Sequence, residues 1–71
     1  MDKNIQGFIK EFKGKEFKDF VLFVFKKMQK DIDLKKKKQD KDKYIKVRQN
    51  FLNYIIANEK AITIELNKKY K

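Results

Sequence analysis

The side chains able to do chemistry in this 71-residue chain are of few kinds. There is no serine, cysteine or histidine, which removes the common nucleophiles, general bases and zinc or iron ligands. The carboxylate pairs Asp31/Asp33 and Asp40/Asp42 have the alternate spacing of a calcium-loop fragment. Both lack the glycine and the closing glutamate that such a loop needs, so they read as solvated charges balancing nearby lysines. No glycine-rich phosphate loop is present. The sequence therefore predicts no enzyme, no metal and no cofactor.

What remains is cationic. Lysine and arginine number 20 against 10 acids, a formal net charge of +10. Residues 1–34 carry eight lysines and six acids, residues 35–43 six and two, and residues 44–71 six basic residues and two acids. The excess thus belongs to the middle and the C-terminal half. Candidate nucleic-acid-binding residues are Lys35, Lys36, Lys37, Lys38, Lys41, Lys43, Lys46, Arg48, Lys68 and Lys69. Arg48 is the only arginine, and lysine makes point contacts to phosphate where arginine reads guanine bidentately. Binding of this kind is weakly specific and strongly salt-dependent. Tyr44, Tyr54 and Tyr70 offer rings on which bases can stack. Helical spacing places the first two at a core edge and leaves Tyr70 free.

These residues need elements to hold them. Proline is absent and glycine occurs only at positions 7 and 14, a shortage of turn signals that favours helices over a many-stranded sheet. Ile5, Phe8, Ile9 and Phe12 have the spacing of one helix face. They predict a helix over about 4–13, capped at its start by Asp2 or Asn4 and ended by Gly14 in the left-handed conformation. The run FVLFVF at 20–25 fits a strand taken alone. At 100° per residue, however, Phe17, Phe20, Val21, Val24, Phe25, Met28 and Ile32 share an arc of about 140°, predicting a helix over 15–34. Only Leu22 and Phe23 stray from that stripe, and at least one of them is expected to lie in a protein interface.

Residues 35–43, KKKKQDKDK, contain nothing apolar and read as a solvated connector, with 35–41 as its basic part. Beyond them Tyr44, Val47, Phe51, Tyr54 and Ile55, widened by Leu52 and Ile56, predict a helix over 42–57. The tail AITIELNKKY suits either a strand or a helix. A lone strand has no partner within the chain, so a helix over 60–69 is expected. The fold class is then all-α, a single domain forming a small three- to four-helix bundle around a central hairpin.

If that hairpin turns near residues 39–40, residues whose numbers sum to about 79 lie opposite each other. Asp31 and Arg48 do so, and each falls inside an apolar arc. The expectation is an Asp31–Arg48 ion pair that fixes the register.

The stretch FLNYIIANEKAITIELNKKY resembles the first two helices of a helix-turn-helix domain, with I-T-x-x-L opening the second. The resemblance covers about twenty residues and implies DNA as a partner. The recognition helix that would read the major groove has no counterpart in these 71 residues.

No segment approaches the roughly 20 apolar residues of a transmembrane helix, and the N-terminus lacks the pattern of a secretory signal. A cytoplasmic protein is expected. With neither disulfide nor metal to support so small a core, a homo-oligomer, most simply a dimer, is also expected. The functional expectation is a non-enzymatic basic helical protein binding nucleic acid through lysine–phosphate contacts, such as a phage, plasmid or accessory regulatory factor. The alternative is an inhibitor, immunity or antitoxin-like module docking on an acidic protein. Attachment to an anionic membrane is a third reading.

Overall fold

A computed structural model describes residues 2–69. Among them four α-helices follow in order with no strand: α1 Lys3–Glu11, α2 Phe17–Asp33, α3 Lys38–Ala57 and α4 Glu59–Lys69. This is the small all-α bundle that the periodicity predicts, built around the α2–α3 hairpin. The ambiguous tail is a helix, in which Ile62 and Leu66, one turn apart, are fully buried while Ile64 is 56% exposed.

Helix α1 starts where expected. The Asp2 carboxylate accepts from the backbone N–H groups of Asn4, at 2.7 Å, and Ile5, at 3.3 Å, satisfying two donors that a helix start leaves open. Its end differs from the expectation. Among the described residues no φ is positive, so Gly14 does not supply a left-handed cap. The chain instead becomes extended at Phe12, which turns that ring into the core at 8% exposure. A Cβ at Gly14 would lie 2.6 Å from the tip of the Phe12 ring. Close approach, not backbone conformation, is what the glycine permits there.

The core draws on all four helices. Ile5, Phe20, Val24, Ile55, Ile62 and Leu66 are its fully buried side chains, each contributing about 1.5–3 kcal/mol of transfer free energy. Around them Phe8 of α1 and Phe12 just past its end meet Phe20 and Phe23 of α2 and Phe51 of α3, with ring centroids 5.4–6.4 Å apart. Because α1 lies on the Phe23 side of α2, the buried face of that helix is rotated from its predicted centre. Phe23 is covered, and Phe25 on the other flank is 39% exposed.

Helix α3 begins at Lys38, four residues before the predicted start, so the connector shrinks to Leu34–Lys37. Lysine and glutamine are good helix formers, and the helix gains its early turns without packing them. Of the predicted α3 stripe only Leu52 and Ile55 are buried and Phe51 half-buried. Tyr44, Val47 and Tyr54 are exposed by 37%, 45% and 48%.

Candidate nucleic-acid interface

The covering helices reach only one end of the hairpin. The core holds Phe20 and Val24 of α2 and Leu52 and Ile55 of α3, and the ion pair from α1 to Lys27 is made by Glu11 at 3.2 Å. Between Gln29 and Lys46, Ile32 is the only buried residue. The second half of α2 and the first half of α3 thus form a two-helix arm on a molecule whose Cα atoms extend 44 × 21 × 19 Å.

Seven of the ten candidate cations are on this arm. Lys36, Lys37, Lys38, Lys43 and Lys46 are exposed, and Lys35 and Lys41 are partly buried. The Lys35 ammonium lies 4.3 Å from the centroid of the Tyr44 ring. Carboxylates on the α3 part of the arm are limited to Asp40 and Asp42, so the field there is positive. The start of α3 and the end of α2 meet at the tip, and their opposed macrodipoles largely cancel. Side-chain charge therefore sets the potential.

The predicted Asp31–Arg48 ion pair is not formed. The Arg48 guanidinium donates to Gln29 Oε1 and lies 4.2 Å from the centroid of the Phe25 ring. Gln29 in turn donates to Asp33 at 2.9 Å. Asp31 is exposed. The four-residue connector moves the hairpin pivot from 39–40 to about 35–36, which shifts the residues opposite Arg48 toward the start of α2. Asp31 also lies beyond the reach of α1, so nothing covers it. The sequence places Phe25 in the apolar stripe and gives Gln29 no role, so neither is expected as a partner of Arg48, although their spacing of four does place them on one face of α2.

Lys68 and Lys69 stand apart from the arm. The Lys69 ammonium donates to the backbone carbonyls of Ile9 and Phe12, satisfying orphan acceptors at the end of α1. Lys68 pairs with Glu65 on its own helix at 3.5 Å. Phe12 packs on Phe20, thirteen residues before the end of α2, so these lysines lie about 20 Å from the hairpin tip. Lys69 is a tie between α4 and the end of α1.

Of the two residues expected at an interface, Phe23 is packed inside by Phe8 and Phe12, with the Lys27 ammonium 5.6 Å from its ring centroid. Leu22 is 50% exposed. Tyr70 lies outside the described residues.

Among the described residues no helix is long and apolar enough to cross a membrane, and no group of three or more acidic, histidine or cysteine side chains is placed to hold a metal ion. No family model matches the chain, and neither the curated proteins nor the solved structures searched contain a match.

Proposed function

We propose that the protein binds nucleic acid with low sequence specificity through lysine–phosphate contacts made by the α2–α3 arm. The observation carrying this reading is the grouping of Lys35, Lys36, Lys37, Lys38, Lys41, Lys43 and Lys46 on one projecting element, where the carboxylates are Asp31 and Asp33 at the end of α2 and Asp40 and Asp42 at the start of α3. Four to six phosphate contacts by these lysines give a slope of log K against log salt of about −4 to −5, at 0.9 per contact. Titration of mixed-sequence oligonucleotides at several salt concentrations measures that slope. Exchanging Lys36, Lys37 and Lys38 for glutamate is expected to abolish binding, while Lys68→Glu leaves it nearly intact. Absence of binding at low salt, or binding indifferent to salt, would overturn the reading. The cytoplasm is its proposed compartment. Leu22 is the proposed seam of a homodimer, checked by solution scattering: a monomer mass across the accessible concentrations rules the dimer out.

A second reading, docking on an acidic protein, is favoured by one observation. Leu34 is 77% and Ile45 43% exposed among the arm lysines, and phosphate contacts alone give no role to apolar side chains. An apolar centre with a charged rim is the ordinary composition of a protein interface.

A further inference from the structure

The nucleic-acid reading treats the arm as a charged surface only, yet α3 also presents aromatic rings beside that charge. Tyr44 and Tyr54 are exposed on one face of α3, with Val47 between them. Two shallow grooves run along this face and share Val47 as a common wall. The first is lined by Lys35, Asp40, Lys43 and Tyr44, the second by Asn50, Phe51 and Tyr54 together with Asp2 and Asn4 at the start of α1. The Asp2 carboxylate is held by two backbone N–H groups, which offset its charge locally.

We infer that this face binds single-stranded nucleic acid in preference to duplex, with Tyr44 and Tyr54 as platforms for unpaired bases. The inference rests on the proposed function and names the form of nucleic acid. Three features favour this occupant. A lysine-flanked tyrosine supplies both things a nucleotide needs, a π-face for the base and a cation for its phosphate. Lys35 lies over one face of the Tyr44 ring, so a base stacking on that face takes the place of the ammonium, which then stands beside the ring within reach of the phosphate. The tyrosines are ten residues apart on one helix, about 15 Å, which a strand covers with about four nucleotides at the stacked spacing of about 3.4 Å. Duplex DNA keeps its bases stacked inside and gives the rings nothing to hold. A second copy of this chain is disfavoured here, since both surfaces would be basic.

The chain contains no tryptophan and three tyrosines, so in a Tyr70→Phe background the tyrosine emission comes from these two rings alone. The full chain would be titrated at low salt with oligo(dT), oligo(U) and a duplex of equal length, reading tyrosine emission and oligonucleotide anisotropy together. Single strands are expected to bind more tightly than duplex and to quench the emission. Tyr44→Leu and Tyr54→Leu should each weaken single-strand binding about tenfold and leave duplex binding unchanged. Tyr44→Phe, which keeps a π-face, should retain it. Helicity by circular dichroism, expected unchanged because both rings are exposed, separates loss of stacking from loss of fold.

Equal affinity for duplex with no quenching would overturn the inference and leave the nucleic-acid reading standing. If no oligonucleotide binds, both fail. If an acidic amphipathic peptide quenches the tyrosines and the oligonucleotides do not, the face is a protein-docking surface and the inference is likewise overturned.

Discussion

Arg48 is held by a neutral amide and an aromatic ring, with no carboxylate completing the contact. A guanidinium half out of water suits such a site, because its flat face stacks on Phe25 while one edge donates to Gln29. The arrangement predicts how stability is shared. Asp31→Ala should change unfolding free energy by less than about 0.5 kcal/mol, as an exposed side chain away from special contacts does. Arg48→Met and Gln29→Leu should each destabilise, with a coupling of about 0.5–1.5 kcal/mol in the double-mutant cycle. Urea melts of the four proteins measure it. Additive losses for Arg48 and Gln29, or a large effect at Asp31, would contradict the geometry. The lysines of the candidate site were legible in the sequence because seven of them are close along the chain. Lys69 was not, since its acceptors are 57 and 60 residues away and nothing in the local pattern marks it.

At the scale of elements, the two glycines should respond in opposite directions. Gly7 lies inside α1 with nothing within 4 Å of an added Cβ, so Gly7→Ala is expected to stabilise by about 0.5–1 kcal/mol through backbone entropy. Gly14→Ala would drive a methyl group against the buried Phe12 ring and should destabilise by about 1–3 kcal/mol. Thermal melts of both variants give the signs directly. The helices themselves were readable because each has apolar residues at helical spacing, most plainly in α1, where Ile5 and Ile9 are both buried. Which side of α2 is buried was less readable. A stripe states which residues can face a neighbour, and it does not state where the neighbour stops. The short reach of α1 leaves Asp31 in water, and its position beside Phe23 turns Phe25 outward. The polar start of α3 was misread for the same reason, since helix propensity extends the element where packing gives no signal.

For the molecule as a whole, stability is unevenly distributed. The bundle end contains nine of the ten buried hydrophobic residues, and Ile32 stands outside that cluster. Local opening of the arm therefore costs less than global unfolding. Amide exchange should be fast over 36–46 and slow over 20–27 and 50–57, with protection rising along α3 toward its C-terminal half. Uniform protection through α3 would show that the arm is as firmly held as the bundle. The tie made by Lys69 has a kinetic consequence. It joins chain segments almost sixty residues apart, and closing a loop of that size costs about 3–4 kcal/mol in chain entropy. The α2–α3 hairpin closes a far shorter loop and can form first, leaving this joint for the downhill side of the folding barrier. Lys69→Met keeps the aliphatic stem and removes the donors. It should therefore hasten unfolding about tenfold and leave the refolding rate almost unchanged. Both arms of a denaturant chevron would record that asymmetry, with the last contact to assemble being the first to release.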